Sequence, residues 1–123
     1  MQNATKVVFY VPRMPLSLNT LLRMHWRRRA QEQKIWDNVI GAHWLAHHKA
    51  IFTEPVILRY VLAFPSNRKR DLDNYIGGTK YVTDALKKTF LFRDDAEWIK
   101  RIELEFQPGE EGLKIAIETA EGA

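Results

Sequence analysis

Apolar positions along the chain alternate between two periods, and the switches mark its elements. Lys6 to Val11 is a β-branched and aromatic run closed by Pro12 and Pro15, which predicts a first strand. The following stretch, PLSLNTLLRMHWRRR, mixes proline, Asn19 and the Arg27 to Arg29 cluster with no sustained period and predicts an ordered but irregular connection. From about Ala30, residues Trp36, Val39, Ile40, His43 and His47 recur at helical spacing. Gln31, Glu32, Lys34 and Asp37 fall mostly off that face, so an amphipathic helix is expected to about His48.

Pro55 then precedes VILRYVLAF, in which both alternating sets are largely apolar, as in a central strand covered on both faces. A second helix is expected over Thr79 to Thr89, because Val82, Ala85 and Leu86 form a stripe that Phe90 continues; Gly77 and Gly78 weaken any earlier start. In the last third, Ile102, Leu104 and Phe106 alternate with Arg101, Glu103 and Glu105. PGEEG then turns, and Leu113, Ile115 and Ile117 alternate again, which reads as a β-hairpin. The order β-α-β-α-β-β implies an α+β fold: a single domain, residues 1–123, with a mixed sheet and helices packed on it.

Composition narrows the function classes. A chain of 123 residues with 46% apolar content supports one core. The absence of cysteine excludes a disulfide framework, a zinc ribbon and a thiol nucleophile, and suits a reducing compartment. No secretory signal pattern and no run of about 18 apolar residues is present, so a cytoplasmic location with no membrane role is expected. A net charge of +4 and a pI near 9.5 admit an acidic partner such as nucleic acid.

The chemistry concentrates in RKRDLDNY, Arg68 to Tyr75, where Arg68, Lys69 and Arg70 abut Asp71 and Asp73. In extended backbone Asp71 and Asp73 would point the same way, with Leu72 directed into the core. Asp94 and Asp95 follow the second helix, where a short connection can return one of them to the first pair. Three carboxylates about 4 Å apart repel by roughly 4 kcal/mol per pair at an effective dielectric near 20, so a cation must offset them. Flanking arginine could do so, and so could Mg²⁺, a hard ion that takes oxygen ligands and keeps waters and phosphate oxygens. The plainer alternative is a helix N-cap region with solvated charges, since Asp and Asn favour such positions. Lys80 and the Arg68 to Arg70 run are candidate phosphate contacts, and Arg27, Arg28 and Arg29 beside His25 and Trp26 form a second basic cluster. Each basic residue taken alone is more often a solvated charge, and a tryptophan such as Trp26 more often lies in a core or interface.

Other constellations carry less. His43 and His47 stand at i and i+4, but HWLAH lacks the glutamate of the HExxH zinc motif, so packed histidines are expected. Ser17 and Ser66 have no acyl-transfer motif around them, and Gly77-Gly78 lacks the pattern of a phosphate loop, which argues against a nucleotide cofactor.

Taken together, RKRDLDN, Lys80, the DAL at Asp84 to Leu86, the pair Asp94-Asp95, and P-x-S-x-N as Pro15, Ser17 and Asn19 resemble the signature of the RusA-type Holliday junction resolvases. The resemblance spans roughly Pro15 to Asp95. It implies a compact homodimeric domain and a Mg²⁺-dependent endonuclease, with Mn²⁺ as a substitute ion, that resolves four-way DNA junctions by paired nicks in recombination and repair. Under it, Asp71, Asp73 and Asp95 are metal ligands and catalytic together with Lys80, with Asp94 an alternative to Asp95. Apart from the resemblance, the basic clusters Arg68, Lys69, Arg70 and Arg27, Arg28, Arg29, with Asn74, are the expected DNA contacts. The segment from Asn74 to Lys80 is longer here than in the family's shorter form. A branched-DNA-binding protein without catalysis, or a metal nuclease acting on other DNA structures, are the alternative readings.

Overall fold

The computed structural model describes residues 4–66, 70–91 and 97–120. Its elements run β1 (Lys6–Val11), α1 (Leu18–Arg23), α2 (Trp26–Ala46), β2 (Val56–Phe64), α3 (Asp73–Lys87), β3 (Ile99–Pro108) and β4 (Gly112–Thr119). The fold is α+β, as the pattern implies, with one helix more than expected.

The four strands form one mixed sheet in the order β1-β4-β2-β3. β2 is central: it runs antiparallel to β4, with Leu58 opposite Ile117, and parallel to β3, with Tyr60 opposite Leu104. The last two strands are therefore not a hairpin. Alternation reveals that two strands exist and which residues share a face, but not which strand lies between them. The chain from β3 to β4 rounds the end of β2, a span of two strand spacings or about 10 Å. There Gly109 adopts a positive φ of 152° and donates its N–H to the Phe64 carbonyl at 2.9 Å.

One face of the sheet carries the core. Val7, Phe9 and Val11, Leu58, Tyr60 and Leu62, and Leu113, Ile115 and Ile117 meet Trp36 and Ile40 of α2 and Val82, Ala85 and Leu86 of α3. A hydrogen bond of 2.6 Å joins Tyr60 to Thr83 between β2 and α3, and burial pushes the Tyr60 phenol above its ordinary range. The other face of β2, expected to be covered too, is mixed. Ile57 and Ala63 are buried, but Arg59 between them is partly exposed and bonds Glu103 at 2.9 Å and also Glu118. Those carboxylates, Glu118 first, hold the guanidinium above its usual value, while Arg59 holds Glu103 below the usual carboxylate range.

All three helices begin where local sequence alone did not place them. In the stretch read as irregular, Ser17 caps α1 by accepting from the Thr20 N–H at 3.3 Å. α2 starts at Trp26 rather than near Ala30, with His25 Nδ1 accepting from the Arg27 N–H at 3.2 Å. α3 starts at Asp73 rather than Thr79 and takes Gly77 and Gly78 into its interior, because tertiary contact overrides their poor helix propensity.

Glu32, placed off the apolar face by its polarity, is buried. Arg13 clasps it through two hydrogen bonds of 2.7 and 3.0 Å, and the Trp36 indole donates to it at 3.1 Å. The histidines are packed, as expected: His43 stacks on Phe9 with ring centroids 4.5 Å apart, and His47 Nδ1 lies 2.8 Å from the His43 carbonyl. Burial, and then neighbouring His47, hold His43 below its ordinary value. Among the described residues, no helix is long and apolar enough to cross a membrane.

Candidate active site

The DLDN motif lies where the chain enters α3. Leu72 has helical angles, φ −56° and ψ −41°, so the extended Asp-x-Asp geometry expected from spacing does not occur, and Leu72 is exposed rather than in the core. Asp71 instead folds over the first turn: its Oδ1 accepts from the Asp73 N–H at 3.1 Å. This satisfies one of the free N–H groups at the helix start and draws the Asp71 carboxylate to the Asp73 backbone. Both aspartates are exposed. A carboxylate beside a helix N-terminus is also favoured by the backbone dipole.

What fixes this turn comes from far away in sequence. Asn74 accepts the Asn19 N–H on its Oδ1 at 3.1 Å, which ties α1 to the turn after Asp73. Leu16, just before α1, and Leu18, its first residue, press on α3 at its glycines. A Cβ placed on Gly78 would lie 1.9 Å from the Leu16 carbonyl oxygen, and one on Gly77 would meet the Leu18 side chain at 3.1 Å. Leu16, Leu18 and Asn19 thus hold the start of α1 against α3, while Ser17 between them caps α1. Glycine lets two backbones approach this closely.

Lys80 follows Asp73 by seven residues on one unbroken helix. Seven residues turn about 700°, close to two full turns, and rise about 10 Å. Lys80 therefore shares the face of Asp73. The longer Asn74 to Lys80 segment is accommodated as helix, not as a loop. Both residues line a groove of about 560 Å³ between α3 and β3, together with Ile76, Asp84 and the exposed Ile102. Lys80 is exposed and has no ion-pair partner among the described residues.

The other expected contacts differ in their surroundings. Arg70 is half-buried, with its guanidinium 3.7 Å from the Phe64 ring centroid and a hydrogen bond of 3.2 Å to Ser66 Oγ. Asn74 is half-buried and engaged with Asn19. Arg27, Arg28 and Arg29 are exposed at the start of α2. Arg68, Lys69, Asp94 and Asp95 lie outside the described residues. Among the described residues no group of three or more histidine or acidic side chains could hold a metal ion. The donor set that is described, two exposed carboxylates, fits Mg²⁺, which commonly uses one or two carboxylates and fills its remaining positions with water and phosphate oxygens.

A family model described as Endodeoxyribonuclease RusA matches residues 4–118, nearly the whole chain. The chain belongs to the RusA endodeoxyribonuclease family. No curated protein matches it significantly. As a RusA-family member it is a nuclease by class, and among the described motif residues Asn19 bonds Asn74 beside the turn in which Asp71 bonds the Asp73 N–H. Sequence reasoning missed Leu16, whose carbonyl abuts Gly78, and the Arg13–Glu32 pair that ties the segment before it to α2. One signal was present: two adjacent glycines inside a helix mark a place where another backbone comes close.

Proposed function

We propose that this RusA-family chain is a Mg²⁺-dependent, structure-specific endonuclease that resolves four-way DNA junctions as a homodimer. The reading rests on one observation above all. The helix start that carries Asp71 and Asp73 is backed by a distant segment, in which Leu16 and Leu18 abut Gly78 and Gly77 and Asn19 bonds Asn74, with Lys80 on the same helix face as Asp73. An exposed charged turn of no function needs no such platform.

Asp71 and Asp73 would hold the metal, with Asp95, or Asp94 in its place, as a further donor carried over from the family resemblance. When bound, Mg²⁺ would supply a lowered pKa for attacking water and charge neutralisation at the phosphate. Asp71, fixed by its hydrogen bond to the Asp73 backbone, keeps its carboxylate in place between turnovers. Lys80 offers a positive charge to the phosphate oxygens as negative charge builds on them. Hydrolysis adds water to phosphorus and releases one ester oxygen as an alcohol. A four-way junction is two-fold symmetric and must be cut in two opposed strands, so a C2 dimer supplies two sites in matching orientation. Arg68, Lys69, Arg70 and Arg27 to Arg29 would contact the DNA backbone.

The deciding experiment is Asp71→Asn. Asparagine retains an oxygen to accept from the Asp73 N–H, so the helix start survives while the charge is lost. Cleavage of a four-way junction in Mg²⁺ is expected to fall at least about a thousandfold, with junction binding unchanged or tighter. Wild-type cutting by this variant sinks the assignment. The same gel, run with forks, flaps and plain duplex and with and without Mg²⁺, tests the substrate class.

A further inference from the structure

The first turns of α2 combine two features that stability alone does not favour. His25 through Gln31 are all exposed, so the helix is in solvent on every side until Glu32 enters the core. Trp26, at the first helical position, is 61% exposed, a large apolar surface left in water. Directly after it, Arg27, Arg28 and Arg29 place three positive charges at the positive end of the helix dipole, with no acidic residue in the first turn to offset them. Among the described residues none of the three has an ion-pair partner.

The side chains here gather around the indole. The Arg27 guanidinium lies 5.3 Å from the centre of the Trp26 ring, and the His25 ring lies 5.5 Å from it at 33°. The middle of α2 is secured by buried Trp36 and Ile40, and only Met24 and His25 separate Trp26 from α1, which packs on α3. A projecting helix start, an open indole and an uncompensated cluster of arginines form a chemical match to a flipped or unpaired nucleobase flanked by phosphates.

We propose that Trp26 stacks on an unpaired base where DNA strands separate, while Arg27 to Arg29 hold the phosphates on either side. The proposal rests on the nuclease reading for its DNA substrate but not on cleavage. It assigns to this surface the recognition of branch points over continuous duplex, because a paired base in a duplex has no free face to offer.

The test compares wild type, Trp26→Ala and Trp26→Phe for binding to three oligonucleotide probes without Mg²⁺: a four-way junction, a single strand and an intact duplex. Trp26→Ala is expected to weaken junction and single-strand binding on the order of tenfold and to leave duplex binding within about twofold. Its salt dependence should stay as steep as wild type, since no charge is removed. Trp26→Phe should recover part of the loss, and single-strand quenching of tryptophan fluorescence should disappear in both variants. The proposal is overturned if Trp26→Ala binds all three probes like wild type, if it weakens all three equally, or if it changes the oligomeric state, which would make the indole a self-contact. A wild-type chain that binds no DNA would instead sink the nuclease reading, and one that cuts junctions with Trp26→Ala unaltered would sink the stacking alone.

Discussion

The starts of α2 and α3 are both rich in charge, yet the fold treats them in opposite ways. At α3, the Leu16 backbone, the Leu18 side chain and the Asn19 N–H converge on the first turns, and Asp71 caps them. At α2, seven consecutive residues from His25 to Gln31 stay in solvent. The difference matches what each end is proposed to do. Carboxylates that share a metal must be held to fractions of an ångström, whereas contacts to DNA phosphates tolerate adjustment. The molecule places rigidity under the chemistry and leaves the basic arm open.

The sharpest way to break this comparison is one substitution made on both helices. A Cβ placed on Gly41 in α2 would have nothing within 4 Å, so Gly41→Ala should stabilise the protein by up to about 1 kcal/mol through helix propensity. Gly78→Ala adds the same methyl where the Leu16 carbonyl oxygen would be 1.9 Å away. It should destabilise by about 3 kcal/mol or displace the loop, and cleavage should fall with it. Chemical denaturation of the two variants gives the answer. Equal signs would mean that the loop does not press on α3.

Next in size is the clamp that holds the loop from its other end. Glu32→Ala removes the acceptor of both the Arg13 and the Trp36 hydrogen bonds and leaves a half-buried guanidinium unanswered. A loss of about 2 kcal/mol is expected in thermal or urea unfolding. Because Arg13 lies just before Pro15 and Leu16, junction cleavage should drop further than duplex or junction binding does. Unchanged melting together with unchanged cleavage would show that the clamp holds nothing in place.

Much of the fold could be read from periodicity, since β1 and β2 were bounded by prolines and by their β-branched runs, and Trp36, Ile40, Val82 and Leu86 did prove buried. The errors share a cause. Helix starts and strand neighbours are decided by contacts distant in sequence: Gly77 and Gly78 are poor helix formers that α3 retains because Leu16 and Leu18 occupy the space, and β2 separates β3 from β4. In the candidate site, spacing pointed to Asp71 and Asp73 but gave the wrong backbone for both, because an Asp-x-Asp in extended chain and one at a helix start have the same letters. The exposure of Trp26 ran against composition and is for that reason the more informative.

The smallest effect concerns the anchored half of α2, which lets its first turns project. His43 stacks on Phe9, and burial, with His47 adding to it, keeps the imidazole below its ordinary value of 6.5. Above that pH both folded and unfolded chains carry it neutral, and its contribution to stability is complete. As pH falls below 6.5 the unfolded chain takes up a proton that the folded chain resists, so stability declines until the lowered folded value is passed and then levels off. His43→Phe keeps an aromatic ring against Phe9 but removes the proton site. Urea midpoints measured at intervals from pH 8 to pH 5 should therefore show the variant gaining on wild type only below about pH 6.5. Parallel curves would show that His43 is no more sheltered than the exposed turns at the opposite end of the helix, and the contrast between an anchored and a free half would lose its titratable marker.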